Sequence, residues 1–503
     1  MSRINTNVSS LIAQRVVGQQ NMSLATSLER LSTGIRINRG KDDPSGLIAS
    51  ENLRKDISGI NSAIDNADRA DQMVNVAEGG LQEVSSLLTE LQGQLTTVAN
   101  TAGLSTEEKE AAQLQVDSIL QSIDRISSST TFEGIKLLNG NFDYAVSGVA
   151  TTVSDYKING AKLENNGTRS VEVIVTQSAQ RGQLFLSTGG ALDLGTGSTF
   201  TIEISGELGA RELSFASGTT NAQMVTAINS FKDVTGVSAA AVSSGSQNGI
   251  NLSSTEFGED AFVSVNIVDD GTIGTTGAVV YHYTTGDADV LSTSGTLFTA
   301  ATSAIKDEGQ DIGAAINGIT ATTDGKTARV STDFLDVEVT LTDTGANNVG
   351  SISAFTITGG GADFQLASNV DIGGKVALGM SNVAVRKLGN SVVGYLDSLK
   401  SGDSNNVVDG DLSSAQKIVS QAIKDISSMR GRLGAFQKNT VGATVRSLGV
   451  ALENTTAAES AIRDTDFASE TASLTRSQIL VNASMNVLSI ANSQPQNVLA
   501  LLG

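Results

Sequence analysis

The sequence predicts an α+β protein: a discontinuous coiled-coil α-helical bundle from paired N- and C-terminal segments, with a β-rich outer insertion. Three observations carry this. Apolar residues near both ends recur in the 3-4 alternation of a coiled-coil seam. The middle, roughly residues 150–390, loses that period and turns to Gly, Ser, Thr, Ala and Val in short alternating runs. None of the terminal helices can bury its apolar stripe alone, so the two ends must meet.

The first segment, residues 1–35, places Ile4, Val8 and Leu11, then Leu24, Leu28, Leu31 and Ile35, at 4-3 spacing. The stretch 31-LSTGIRINRGKDDPSGLIAS-50 then interrupts the helical pattern. Gly34 and Gly40 read as helix breakers, and Asp43 as an N-cap with Pro44 at the first helical position. Arg36, Arg39, Lys41, Asp42 and Asp43 read as exposed charges of a joint. Gly34…Gly40-Lys41 fails as a phosphate-binding loop, because five residues separate Gly34 from the Gly-Lys pair and Asp42 follows the lysine.

The next helices carry a seam of Leu81, Val84, Leu88, Leu91, Leu95 and Val98, then one of Ala112, Val116, Ile119, Ile123 and Ile126. Gly103 fits a helix stop, and Ser105 with Glu108 forms a capping box. An antiparallel helical hairpin is expected, with helix continuing to about residue 140. In the insertion, 171-VEVIVTQ-177, 199-TFTIEIS-205, 334-FLDVEVTL-341 and 354-AFTIT-358 read as half-exposed strands. A β-β-α-β-β unit is expected from strands near 199–205 and 211–215, a helix at 220–231, and strands near 236–242 and 262–268. A looser second unit starts at residue 311, and a shared Ala-Ile-Asn tripeptide hints at a repeat.

The last zone begins with a seam at Leu412, Ala415, Val419, Ala422, Ile426, Met429, Leu433 and Phe436. The register then slips and resumes at Val441, Val445, Leu448 and Leu452, a local change of supercoiling. Gly431, Gly434 and Gly442 suggest close helix packing there. The final segment carries Phe467, Leu474, Val481, Met485 and Leu488, and ends with Val498, Leu499 and Leu502. Both terminal segments are thin in charge and rich in Ser, Asn and Gln. Two readings stand: an ordinary two-helix extension docked on the main body, or ends that order on assembly, where a head-to-tail contact repeated without closure would give a helical filament.

Composition narrows the chemistry. Lys and Arg total 33 against 53 Asp and Glu, a net charge of −20, which disfavours nucleic acid and anionic membranes as partners. Cysteine is absent, and the one histidine, His282, lies in an alternating run and reads as a strand residue. Cysteine chemistry and histidine-rich metal sites are thereby excluded. No motif picks out a pair of carboxylates for hydrolysis. No catalytic residue, cofactor or metal is expected. The N-terminus lacks an apolar signal region, and no run has transmembrane length, so the chain, if exported, is expected to use no cleaved signal.

Four blocks then carry a resemblance: 3-RINTNVSSLIAQR-15, 26-TSLERLSTGIRINRGKDDPSGLIASENLR-54, 461-AIRDTDFASETASLTRSQIL-480 and 494-QPQNVLALLG-503. They resemble bacterial flagellin, over roughly the first 140 and last 110 residues. The resemblance implies a subunit that self-assembles into the swimming filament of the bacterial flagellum. It implies residues 1–44 and 460–503 as a channel-lining polymerisation domain, 45–150 and 390–459 as the inner shell, and 151–389 as the outer surface. It further implies export through the flagellar apparatus with a chaperone, assembly under a filament cap on hook-associated junction proteins, and other flagellins as candidate co-subunits. A hook–filament junction protein, or a filament subunit with an adhesive or enzymatic outer domain, is the alternative. The family is sensed by an innate immune receptor through a patch centred on an arginine. The matching positions here are Glu90, Gly93, Gln94 and Gln115, so strong recognition is not expected.

Overall fold

A computed structural model describes residues 6–100, 103–164, 167–244, 247–273, 278–284 and 287–502. The chain forms two compact units. One comprises Met1–Asp71, Gln365–Gly374 and Phe436–Gly503, and the other Gln72–Phe364 and Lys375–Ala435.

The first unit holds helix α1 (Val8–Thr33) and the start of α2 (Pro44–Val98). Its C-terminal part holds a π-helical turn (Phe436–Val441) and the helices here numbered α8 (Gly442–Arg463) and α9 (Phe467–Leu502).

The second unit contains the rest of α2, α3 (Thr106–Ser129) and α7 (Leu412–Ala435). Leu81, Val84, Leu88, Leu91, Leu95 and Val98 are buried, as are Val116, Ile119 and Ile123 on α3 and Ile426, Met429 and Leu433 on α7. The apolar period therefore places one face of each helix in the core. Ser105 and Glu108 form the reciprocal capping box, with backbone-to-side-chain bonds of 3.3 and 2.8 Å. Gly80 of α2 lies against Thr130, just past α3, while the other ends of the two helices are joined by residues 99–105. The pair is therefore antiparallel. A side chain at Gly80 would meet Thr130 at 2.8 Å, so the glycine permits this approach.

Several expectations change. α2 ends at Val98, before Gly103, where Asn100 N–H bonds Thr97 O and tightens the last turn. Helix stops at Ser129 rather than near 140. Thr131–Phe132 and Ile135–Lys136 instead form a hairpin over Glu133-Gly134, both at positive φ, which demands the permissive glycine. Gly431 and Gly434 do not mediate close packing, since both are exposed and a Cβ there meets nothing within 4 Å. They lie off the buried seam of α7.

The insertion folds as two nested β modules, each with its own core. The enclosing module pairs a five-stranded sheet, centred on Arg169–Gln177, with a four-stranded sheet that includes Leu335–Leu341 and Val153–Ala161. Alternation decides which faces turn inward: Leu335, Val337, Val339 and Leu341 are buried and the residues between them are not. They share a core with Val171, Val173, Val175 and Phe355. The nested module stacks a five-stranded sheet containing Gln183–Ser187 and Gln247–Ser254 on a four-stranded sheet containing Thr199–Gly206 and Phe262–Asp269. Its core holds Leu184, Ile202, Ile250, Val265 and the stacked pair Phe200–Phe298, 5.3 Å apart, with Met224 and Ile228 from helix α4 (Asn221–Asn229). Two short helices complete the set, α5 (Lys232–Thr235) and α6 (Asp343–Asn347).

The modules meet where Gln180 and Gln310 exchange backbone hydrogen bonds. There the Phe257 ring is approached by the Arg181 guanidinium, 4.4 Å from its centroid, and by the Lys326 ammonium at 4.9 Å. Both cations also pair with Asp343, at 3.4 and 2.6 Å.

The expected β-β-α-β-β unit is present with one substitution. Its fourth strand is Gln247–Ser254 rather than the expected strand near 262–268, and Phe262–Asp269 follows it. The Ala-Ile-Asn repeat is not structural. Ala227-Ile228-Asn229 ends α4, whereas Ala315 and Ile316 are strand residues and Asn317-Gly318 is a turn with both φ positive. His282 is a strand residue, with its Nδ1 3.4 Å from Asp307 Oδ1.

Tyr144 gives a test of this fold. Its buried hydroxyl accepts the Ala161 N–H at 2.8 Å and donates to the Ala161 carbonyl at 3.3 Å. Burial pushes the phenol up to about 12 from 10.0. The neutral form is thus favoured in the fold, so its stabilisation is complete below 10.0 and is lost as pH rises towards about 12. Tyr144→Phe should lower stability by about 1–2 kcal/mol at neutral pH. It should also flatten the alkaline limb of a denaturation series.

Candidate assembly surface

α1 and α9 form an antiparallel pair. Asn7, the N-cap of α1, accepts from Ser10 N–H and donates through Nδ2 to the Ala491 carbonyl at 2.7 Å. Ser10 Oγ lies 2.6 Å from Asn492 Oδ1, and Arg30 at the other end approaches Glu470 at 3.7 Å. The buried residues of the pair are small: Ser10, Ala13 and Ser27 on α1, with Ser477, Val481 and Ala491 on α9. Small side chains let two helices approach closely but bury little apolar area.

The large apolar residues mostly point away. Val8, Leu11 and Leu28 are exposed on α1, as is Met485 on α9, with Leu11 at 58 %. Leu24, Leu31, Leu474 and Leu488 are half-buried, and Val481 is buried. Ile4 lies outside the described residues, and so do the side chains of Val498, Leu499 and Leu502. Sequence reading missed Ile12, Met22, Ile479, Val487 and Ile490, the last 62 % exposed, because they fall off the 4-3 stripe. The serines and alanines were the available signal: they mark the side on which the helices touch.

The joint is tighter than a charged loop. Gly34 ends α1 in the left-handed region at φ 72°, with its N–H bonded to Arg30 O. The connectors 34–43 and 463–466 are then tied together. Arg36 N–H donates to Arg463 O at 2.7 Å, and Thr465 N–H to Gly34 O at 3.0 Å. The Arg36 guanidinium donates to the carbonyl of Ile462, satisfying the C-terminal end of α8 rather than a carboxylate. Asp42 accepts the N–H groups of Asn38 and Arg39. Asp43 accepts Gly46 N–H and Ser45 Oγ, both at 2.9 Å, and these bonds hold its carboxyl below the ordinary value. Pro44 opens α2. Of Arg36, Arg39, Lys41, Asp42 and Asp43, Arg39 forms an ion pair among the described residues, 3.0 Å from Glu29.

Gly40 needs correcting as a helix breaker. α1 has already ended at Gly34, the φ of Gly40 is not positive, and a Cβ there would make ordinary contact with Leu47 at 3.6 Å. The demanding glycine is Gly46. A Cβ there would stand 2.4 Å from Asp43 Oδ2 and 2.8 Å from Ile37 Cδ1. Ile37, buried beneath the joint, was also not picked out from sequence.

On α2 and α3, Glu90, Gly93 and Gln115 are exposed and Gln94 is half-buried, away from the buried seam. Phe436 is buried at the start of the π-helical turn. Among the described residues no three His, Cys, Asp or Glu side chains could hold a metal ion, and no helix is long and apolar enough to cross a membrane.

Residues 4–143 match the bacterial flagellin N-terminal helical region, and residues 416–502 the C-terminal helical region. The chain is 28% identical to Flagellin A of Helicobacter pylori and 29% identical to B-type flagellin of Pseudomonas aeruginosa, covering 99% of each chain in both comparisons. It is 27% identical to flagellin of Salmonella typhimurium, again over 99% of both. The chain belongs to the bacterial flagellin family. As a flagellin it is a structural subunit of the extracellular filament of the bacterial flagellum. The flagellin hook IN motif matches residues 199–256, which are the strands and α4 of the β-β-α-β-β unit in the nested module. A solved FliD (HAP2) from Pseudomonas aeruginosa PAO1 is 19% identical, covers 40% of this chain and 84% of its own, and has a TM-score of 0.27.

Proposed function

We propose that this flagellin adds head-to-tail to the growing filament through α1 and α9. The observation that carries the reading is the inversion on this helix pair. Its small residues are buried, while Leu11, Ile12, Met22, Ile479 and Ile490 are each at least half exposed. Such a surface is completed by copies of itself. In this reading residues 1–44 and 460–503 form the innermost layer, 45–150 and 390–459 the inner shell, and 151–389 the outer surface. The joint at Gly34, Arg36, Arg39, Gly40, Asp43 and Pro44 keeps the first two in register. Family membership supports export by the flagellar apparatus with its chaperone and without a cleaved signal, and contact with the cap and junction proteins. The role is structural, without catalysis or cofactor. The test is addition of purified chain to short filament seeds. Elongation at micromolar concentration is expected, and a folded chain that leaves seeds unchanged would sink the reading.

Glu90, exposed on α2, stands where the family's receptor patch carries an arginine. Weak activation of the innate immune receptor is therefore expected, and Glu90→Arg should raise it. A reporter-cell assay checks this, and parental potency equal to that of an arginine-bearing flagellin would contradict it.

A further inference from the structure

Oxidisable side chains are sparse in this chain and unevenly placed. It has no cysteine and no tryptophan, so its seven methionines are the groups that a peroxide attacks first. Met1 lies outside the described residues. Of the others, Met73, Met224, Met380 and Met429 are buried, all within the second unit. Met22 and Met485 are exposed, at 67 % and 51 %. Both lie on the α1–α9 pair, between the Asn7–Ala491 bond at one end and the Arg30–Glu470 approach at the other.

The local sequence leaves these thioethers open. On a helix surface the neighbours of a residue stand three and four positions away. For Met22 they are Gly18, Gln19, Ala25 and Thr26, none of them a large apolar group. Met485 flanks the contact stripe, four residues after the buried Val481.

We propose that Met22 and Met485 form a reversible oxidation site that governs addition of the subunit to the filament. The co-substrate is a two-electron oxidant of the hydrogen peroxide class. The sulfur lone pair attacks one peroxide oxygen, and the O–O bond breaks. The proton of the retained oxygen passes to the departing hydroxide, and water leaves. The thioether is thereby oxidised to a sulfoxide and the peroxide reduced. Through a sulfoxide reductase, a dithiol reverses the change: it becomes a disulfide, and the oxygen leaves as water. In the free subunit the polar sulfoxide stays in water, so the fold is little affected. On the assembly surface it must be dehydrated against apolar groups of a neighbouring copy, which disfavours addition. The proposal rests on the assembly reading above.

The test treats the full chain as a monomer with hydrogen peroxide and follows each methionine by peptide mass spectrometry. Met22 and Met485 should each gain one oxygen at least about tenfold faster than Met73, Met224, Met380 and Met429, whose exposure requires opening of the core. The critical concentration for elongating short seeds should then rise at least about fivefold. Circular dichroism and melting should stay those of the untreated chain. Methionine sulfoxide reductases, one for each epimer, should restore the original value with dithiothreitol. The double variant Met22→Leu, Met485→Leu, compared with itself before and after peroxide, should change by less than about twofold, because leucine has no sulfur to oxidise. Unimpaired elongation with both methionines oxidised, inhibition that persists after both sulfoxides are reduced, or equal inhibition of the double variant would each overturn the proposal. Oxidation of the four buried methionines as fast as the exposed pair would overturn it too. Failure of the untreated chain to elongate seeds would instead overturn the assembly reading, and the oxidation site with it.

Discussion

A chain carrying Leu11→Glu and Ile490→Glu is expected to fold as the parent does and to lose filament growth. Both side chains are mostly exposed in the subunit, at 58 % and 62 %, so charge there costs the isolated fold little. In the filament the same positions would be covered. Each apolar side chain withdrawn from water contributes about 1.5–3 kcal/mol. An unpaired carboxylate placed there adds a desolvation cost. The critical concentration for elongation should rise by at least about a hundredfold, since each factor of ten corresponds to about 1.4 kcal/mol. Circular dichroism and thermal melting should match the parent. A variant that melts early would point to a role within the subunit; one that elongates seeds normally would remove these residues from the assembly surface.

Gly46→Val has the second large effect, and it acts through the subunit. The new Cβ meets the Asp43 carboxylate at 2.4 Å and Ile37 at 2.8 Å. Asp43 must leave its N-cap position, which costs about 1 kcal/mol or more. Ile37 must move within a buried site, and overpacking of that kind costs about 1–3 kcal/mol. The joint should therefore loosen by about 2–4 kcal/mol, with early proteolysis at residues 34–43 and defective filaments. Gly40→Val should be mild by comparison, because space exists beside Leu47. Equal effects from the two substitutions would contradict the packing described for the joint.

Much of this was legible in the sequence because it is written in periods. The seam residues Leu81 to Leu95 and Ile426 to Leu433 were found by 3-4 spacing, and the alternation of 335–341 by a period of two. Capping was legible at Ser105 from Glu108 three residues on, and at Asp43 from the proline that follows it. What was not legible depends on contacts distant in sequence. Arg36 read as a surface charge, and only the fold brings the Ile462 carbonyl to it. Gly40 and Gly46 look alike in the chain, and the position of Ile37 distinguishes them. The strand Gln247–Ser254 was missed because its polar residues and glycine hide Ile250 and Leu252. The proposed assembly surface was half legible. The 4-3 stripe found several of its residues, but the helix pair touches along its serines and alanines. The largest apolar groups, including Ile479 and Ile490, fell outside the expected seam.

The absence of cysteine from the chain makes one measurement especially direct. Single cysteines introduced at Leu11, Ile490 and, as a control on the nested β module, Leu208 can be reacted with a thiol reagent before and after assembly. All three positions are exposed in the subunit. If α1 and α9 carry assembly, the cysteines at positions 11 and 490 react readily in the monomer and more than about tenfold more slowly in the filament. The cysteine at position 208 reacts at the same rate in both. Equal rates in monomer and filament at positions 11 and 490 would contradict the claim that these helices form the assembly surface.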